Sequence, residues 1–554
     1  MLFHAAHLPS VSPTGGSVFQ AVRKFVEADD IIEVLDAFQA WKQACIELER
    51  EGPVSSSVSS SGGASPRHST TLSAPSPAAS ASSSTTSLAT TADPKTPFEI
   101  YSLLHKHSVR ATHHLADFWK CILIFFFFSL LQCIANRFEE SRYACRPSSS
   151  SSSSSSSPER RALVAGGGPV GLRAAIELAL QKFDSVVVLE KRDTFSRLNV
   201  MRIHTDDLEE LISGFGARAC YPKIGIRDRD VISIRRLQLV LTKMALCLGV
   251  QIHAGAELIS ISPQPSTPYW TADINTLYPE KIDVTFNTLV LATGEKSKLS
   301  SEFGFSRTVF RAGNATGITC NFSPSHTPVS SDDLVSGGRV SYLNVKFFKE
   351  LKAKGLDVEN IASYTTEDSH YLVMTPTKAT LLERGVVKQD IADPVELVRP
   401  DNVDREKLLA FAREMATEVG IPADSDFLPM RSSKDGATWP DVGIFDFTGK
   451  TMATEPSKIL TETYTDAETG SRREKSLLVA LVGDALVEPF WPTGTGWARG
   501  NGSCKLLGDT LRELGPDPAR WREKADVVLK LHEDHYVRLK SESYAPMSRV
   551  MGVS

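Results

Sequence analysis

Two glycine-bearing strand ends lying far apart in the chain, with an acid closing a strand between them, predict an α/β fold built on a parallel sheet. The first is Ala162–Gly171 (ALVAGGGPVG), the second is Leu481–Gly496 (LVGDALVEPFWPTGTG), and the acid is Glu190. One glycine motif is a weak signal. A matched pair is what a long dinucleotide needs, because both of its halves must be held.

Leu163–Ala165 is a short apolar run that stops at Gly166. Gly166, Gly168 and Gly171 give G-x-G-x-x-G, and Leu172–Leu180 follows with helical spacing at Leu172, Ile176 and Leu180. In such a motif the first glycine makes the tight turn, the second admits a pyrophosphate and the third lets helix and strand pack closely. The helix N-terminus then offers free N–H groups and the positive end of its dipole. The next strand, Ser185–Glu190, ends in the acid that would hold a ribose hydroxyl. A glycine-rich surface turn is the competing reading of the bare motif, and the register of strand, helix, strand and acid argues against it. Thr288–Gly294 (TLVLATG) reads as the strand closing the adenine end. Leu478–Asp484 (LVALVGD) reads as a buried strand with Asp484 at its mouth, and Pro489, Pro492, Gly494 and Gly496 make a stiff turn after it. The expected class is α/β: a Rossmann-type domain for flavin adenine dinucleotide (FAD), an inserted mixed β-sheet subdomain and a helical N-terminal segment. Gly337–Leu343 and Tyr371–Thr375 supply strands of the insert. Ile232–Leu248 reads as a helix placing Arg235 and Gln238 near the cofactor pyrophosphate.

Several blocks go beyond what any flavoprotein carries. They are GGGPVGLR (Gly166–Arg173), LEKRDTFSRLN (Leu189–Asn199), ISIRRLQ (Ile232–Gln238), GITCNF (Gly317–Phe322), ENI (Glu359–Ile361), SHYLVMT (Ser369–Thr375), FDFT (Phe445–Thr448) and LVGDALVEPFWP (Leu481–Pro492). In order and spacing they resemble the flavin monooxygenase domain of the MICAL family, the actin-oxidising enzymes, which has a p-hydroxybenzoate-hydroxylase-like scaffold. The likeness runs from about Arg161 to about Leu514, and more weakly through Val18–Glu49 and Thr96–Lys120. It implies an oxidoreductase using FAD and NADPH that converts methionine side chains of actin filaments to the sulfoxide and releases peroxide when no target is in place. It also implies roles for matching residues. Glu190 would hold the adenosine ribose, main chain at Val170 the pyrophosphate, and main chain at Leu258 the adenine. Arg192 and Arg197 would supply cations to the phosphates and ribityl region, a task suited to the planar guanidinium fork. Asn199 and Tyr364 would lie by the flavin ring, Asp484 on the ribityl chain, and Trp491 beside the ring where it helps to hold the target. For each arginine the competing reading is a solvated surface charge, and for Trp491 a core tryptophan between prolines. His370 reads as a sheet anchor before a catalytic base, since oxygen transfer to sulfur needs none.

The chain also departs from that family. Val200–His204 (VMRIH) stands where animal members have Leu-His-Leu-Trp at the active-site mouth, so Arg202 and His204 leave room for a small-molecule hydroxylase. A flavin-bound interaction protein with only NADPH oxidase activity is a third reading. Asn501-Gly-Ser-Cys504 is expected to interrupt the helix that follows Gly500. The chain ends at Ser554, which is read as leaving no room for calponin-homology or LIM modules, and no C-x-x-C pair offers zinc ligands. No metal site is expected.

The chain divides by composition. Residues 1–51 form a helical segment, 52–95 a Ser/Pro-rich tract too poor in apolar residues to order, and 96–146 a second helical segment with an apolar insert. Residues 147–158 are a poly-serine linker, 159–515 the monooxygenase domain and 516–554 a helical tail. The net charge of −5 and the lack of a basic stripe argue against nucleic acid. The eight cysteines follow no framework spacing, so they are read as reduced thiols of a cytoplasmic, cytoskeleton-associated protein, and the N-terminus as no secretory signal. The asparagine sequons at Asn314, Asn321 and Asn501 are then chance, and a monomer is expected. Cys121–Ala135 (CILIFFFFSLLQCIA) leaves three readings open: a translated intron end, a core helix, or a membrane segment shorter than the ~20 residues a span needs.

Overall fold

The computed structural model describes residues 13–51, 102, 104, 133, 136–137, 158–225, 231–279, 281–295, 298–311, 315–324, 345–423, 425–431, 436–489 and 495–551. The expected strand Gly337–Leu343, nearly all of the Cys121–Ala135 run, both low-complexity tracts, and Trp491 lie outside these residues.

In chain order, helices α1 (Pro13–Glu27) and α2 (Ile31–Glu51) precede β1 (Arg161–Ala165), α3 (Pro169–Leu180) and β2 (Ser185–Glu190). Then come α4 (Ile234–Cys247), β3 (Gln251–Ala254), β4 (Thr288–Leu291), β5 (Thr316–Phe322), β6 (Val358–Thr365) and β7 (His370–Pro376). The remainder includes α5 (Arg405–Glu418), β8 (Val442–Asp446), β9 (Ser457–Thr465), β10 (Arg472–Leu481), α6 (Gly496–Leu514) and α7 (Trp521–Met551).

The main sheet has six strands in the order β9-β10-β4-β1-β2-β3. All neighbours run parallel except β9 on β10. A parallel sheet must be covered on both faces, and β1 shows how. Ala162 and Val164 enter a core shared with α3, α4, α6 and the α1–α2 hairpin, while Leu163 and Ala165 enter a core on the other face. The three-stranded sheet formed by Ala256–Pro263, Trp270–Thr276 and Thr285–Phe286 closes that second face.

The insert is a four-stranded sheet, β6-β7-β5-β8, backed by α5. It was expected to be mixed, but every pairing among its described strands is antiparallel. The mixture of directions is in the main sheet instead. The reason is connectivity: β6 and β7 are joined by a tight turn at Thr366–Ser369, which permits only an antiparallel pair.

The α1–α2 hairpin is bound by charge as well as packing. Lys243 of α4 donates to the Val26 and Ala28 carbonyls at 2.7 and 2.8 Å, capping the end of α1. Asp29 pairs with Arg235 at 3.0 Å and with Arg236, and Arg236 reaches Asp368 of the insert at 2.7 Å.

The helix after Gly500 is not interrupted. α6 runs unbroken from Gly496 to Leu514. Asn501 and its neighbours have low intrinsic helix propensity, and tertiary contacts override it. Asn501 Nδ2 donates to Asp207 and Glu210 at 2.7 and 2.8 Å. A Cβ on Gly500 would stand 2.3 Å from Val170 Cγ2, and one on Gly508 2.3 Å from Glu177 Oε1. The small residues are what allow α6 to lie against α3.

Among the described residues no helix is long and apolar enough to cross a membrane, and no group of three or more His, Cys, Asp or Glu side chains could hold a metal.

Candidate functional site

Four parallel strands deliver their carboxyl ends to one place. β1 ends just before Gly166, β2 at Glu190, β4 just before Gly294 and β10 just before Gly483. The crevice beyond such ends is where open α/β sheets bind ligands.

The glycine turn is tight. Gly166 has a φ of +109° and donates to Leu189 O at 2.8 Å. A Cβ there would sit 2.4 Å from Ala292 O, and one on Gly171 would sit 1.9 Å from Gly166 O. Gly168 differs: a Cβ would meet nothing within 4 Å. The missing side chain at Gly168 therefore opens space rather than relieving a protein contact. Gly168 is also the N-cap of α3, with no side-chain cap, and Pro169 follows. The first ladder bond is Leu172 N to Gly168 O, so the Val170 and Gly171 N–H groups face the crevice end unused by the helix. Val170 serves a second purpose. Its side chain lies against Gly483 and Gly500, so the two glycine-bearing ends of the sequence meet on it.

Glu190 is buried. Its Oε2 accepts from Gly167 N at 2.8 Å and its Oε1 from Arg192 N at 3.0 Å. Each carboxylate oxygen has two lone pairs, so both retain acceptor capacity for a diol. Gln238 donates to Gly167 O at 3.1 Å, from the same side of the turn. Arg235 does not join it: that guanidinium is taken up by Asp29 and Asp368, and only its main-chain N–H reaches the segment, on Arg197 O. Arg192 is exposed, 3.9 Å from Glu190.

Asn199 Nδ2 donates to the Tyr371 hydroxyl at 3.3 Å, and the Tyr371 and Tyr364 rings stack at 6.2 Å. Asp484 lies in the middle of the short helical turn Gly483–Ala485 after β10. Burial raises its carboxyl pKa, and Arg197 is the strongest opposing charge. Arg197, Asn199, Tyr364 and Asp484 thus belong to one neighbourhood, with Arg197 linking both sides. Leu258 stands apart, its side chain packed with Leu189 and Trp270 in the core and its main chain in the ladder opposite Ile274. His370 is buried in the β6–β7 hairpin with Nδ1 3.1 Å from Thr365 Oγ1, a sheet position.

Residues not singled out from the sequence complete the site. Ser503 accepts from Gly483 N at 3.0 Å and donates to Gly500 O at 2.6 Å, fixing the turn to α6. Arg307 donates to the Asp484 and Ala485 carbonyls. Gly167 was an unspecified position of the motif, but a Cβ there would lie 2.8 Å from Glu190 Cβ. The unbroken run of three glycines, Gly166–Gly168, was the available signal.

Glu488 is buried and its Oε2 accepts from Thr451 N. Burial, then the neighbouring Glu295 carboxyl, push Glu488 from its ordinary 4.5 up to about 7. Between those values the folded chain holds a proton that the unfolded chain has released, so stability falls as pH rises through this window. Glu488→Gln is expected to flatten that decline in urea melts at pH 5 and pH 8. An unchanged slope would count against the buried protonated carboxyl.

Together the parallel sheet and the crevice at its strand ends define a Rossmann-type domain. Residues 314–446, which include the insert, match the family model described as "Mical, Rossman domain". The chain is 40% identical over 339 residues to [F-actin]-monooxygenase mical2b of Danio rerio, covering 60% of this chain and 19% of that protein. It is 39% identical over 342 residues to [F-actin]-monooxygenase MICAL2 of Mus musculus, covering 60% and 16%. Protein-methionine sulfoxide oxidase mical3a of Danio rerio is 40% identical over 342 residues, covering 60% and 16%. The matched part of this chain is similar to the MICAL family, and it spans less than a fifth of these relatives' own length.

Proposed function

We propose that this chain is an FAD- and NADPH-dependent monooxygenase that oxidises methionine side chains of a protein substrate, with actin filaments as its partner. The observation that carries the reading is the crevice itself: an open Gly168, unused N–H groups at α3, Glu190 with spare acceptor capacity, and Asp484 at the end of β10. That donor set fits FAD. Gly166, Gly168, Val170 and Gly171 would hold the pyrophosphate and Glu190 the ribose, with Leu258 main chain at the adenine. Arg192 and Arg197 would face the phosphates and ribityl region, Asp484 the ribityl chain, and Asn199 and Tyr364 the ring. Bound FAD, reduced by NADPH, supplies oxygen transfer to a thioether. The protein supplies orientation, charge and exclusion of competing reactions. Trp491 would hold the target, and the product is methionine sulfoxide, which disrupts apolar contacts. The relatives' printed names, an F-actin monooxygenase and a methionine sulfoxide oxidase, support the substrate. A cytoplasmic, cytoskeleton-associated monomer goes with it.

Exposed Arg202 and His204 favour a second reading, hydroxylation of a small molecule. Purified protein should be yellow, and NADPH oxidation should rise several-fold with filamentous actin, with sulfoxide appearing on actin and Trp491→Ala abolishing the rise. Flavin-loaded protein indifferent to actin would sink the actin substrate and leave the small-molecule reading. Substrate-independent turnover alone would leave an NADPH oxidase that releases peroxide.

A further inference from the structure

Helix α7 has one buried face, marked by Trp521, Ala525, Val528, His532 and Tyr536. Spacings of three and four residues place them on a single stripe. Two polar groups on the stripe reach the domain beneath. His532 Nδ1 lies 2.7 Å from Ser457 Oγ, at the start of edge strand β9. The Tyr536 hydroxyl, fully buried, donates to Ala453 O at 2.8 Å and to Leu486 O at 3.2 Å.

The second contact falls at a particular place. Ala453 ends the strand Gly449–Ala453, and Leu486 sits between Asp484 and Glu488. The two segments are stitched together by Ala453 N to Leu486 O at 2.8 Å, Glu488 N to Thr451 O at 3.1 Å and the Met452–Val487 bridge. Tyr536 closes that seam from below with one O–H shared between two carbonyls. A phenylalanine would fill the same volume, so packing alone does not call for the hydroxyl. Burying a hydroxyl is unfavourable unless it is paired, and here it is paired to the turn that carries both site carboxyls.

We propose that Tyr536 is a positioning residue for the flavin site and that α7 forms the site's rear wall. The inference rests on the FAD reading above. Tyr536 acts through the main chain: it holds Leu486, and thereby Asp484 and Glu488, at a set height relative to the glycine turn of α3.

The test compares two single-hydroxyl deletions under the same helix in the full chain, Tyr536→Phe and Ser457→Ala. Both should lower the thermal midpoint by similar small amounts. Tyr536→Phe alone should weaken FAD binding about tenfold, the effect expected where one buried hydrogen bond sets the geometry, and should shift the absorption and fluorescence spectrum of the bound flavin. Equal FAD affinities and spectra in the two variants would overturn the proposal. A measurement on the parent chain needs no variant: adding FAD to the apoprotein should slow amide exchange in Trp521–Tyr536, and unchanged exchange there would also overturn it. A parent chain that binds no FAD overturns the cofactor reading first, which separates the two failures.

Discussion

Gly171→Ala is expected to lower the stability of the fold sharply, whereas Gly168→Ala, three positions earlier, is expected to leave stability unchanged and abolish FAD binding. The difference lies in what each missing side chain is for. At Gly171 a Cβ would lie 1.9 Å from Gly166 O, and that carbonyl cannot retreat because Gly166 is itself fixed, its N–H on Leu189 O and its own Cβ position filled by Ala292 O. Relief requires α3 to move off β1, which strips contacts from a fully buried interface. Overpacking of that kind costs ~1–3 kcal/mol and sometimes more, and a backbone-to-backbone clash belongs at the upper end. Gly168 has φ −65° and ψ 170°, an extended conformation open to any residue, and a Cβ there touches nothing. Its methyl would project only into the space where a pyrophosphate must approach the helix N-terminus. Thermal melts of the two apoproteins and their flavin content after reconstitution read out both effects. A Gly171→Ala protein melting like the parent would refute the close packing of α3. A Gly168→Ala protein that binds FAD normally would refute the phosphate position.

That contrast shows which parts of the molecule could be read in advance. The glycine turn, Glu190 and the end of β10 were legible because short-range chain geometry dictates them: a strand that must turn within three residues into a helix needs glycine at set places. The same reading failed where the deciding partner is distant in sequence. Asn501-Gly-Ser-Cys504 looked like a helix break against the family pattern, yet the Asn501 amide nitrogen bonds to Asp207 and Glu210, and the Ser503 hydroxyl to Gly483 and Gly500. Arg235 shared a helical face with Gln238, but Asp29 and Asp368 claim its charge, and neither is near it in the chain. Tyr371 was quoted only as part of a strand. Its stacking on Tyr364 and its bond from Asn199 depend on how the insert docks against the Arg197–Asn199 segment, and no local pattern records that. The antiparallel character of the insert was hidden for a similar reason, since strand direction depends on connections between strands and not on the composition of any one of them.

The second large effect concerns Glu210, where those distant partners converge. Glu210 stands at the start of a π-helical turn, Glu210–Gly214, a few residues past Arg202 and His204. Lys505 of α6 reaches it at 2.8 Å, Arg173 of α3 at 3.5 Å and Arg137 at 3.6 Å. Asn501 donates to it as well. Arg173 is fully buried and also pairs with Glu177 at 2.9 Å. Burial pushes the Glu210 carboxyl up, but Arg173, Lys505 and Asn501 more than reverse this, and it falls from its ordinary 4.5 to about 2. Removing one member of such a buried set leaves the opposite charges uncompensated, at a cost of about 3–5 kcal/mol. Glu210→Gln is therefore expected to lower stability by an amount in that range at pH 7. The pH dependence follows from the sign of the shift. A carboxyl whose folded pKa is depressed contributes in full above its unfolded value and loses that contribution as pH falls through the folded value. The gap between parent and Glu210→Gln should therefore be constant above pH 5, narrow from about 4.5 downward and close near pH 2. Urea melts at pH 7, 4 and 3 measure it directly. A gap that persists unchanged at pH 3 would mean that Glu210 acts through shape alone. A gap absent at pH 7 would mean that the cations around it find water instead, and that α6 and the Glu210–Gly214 turn are held together by apolar packing without the ion network.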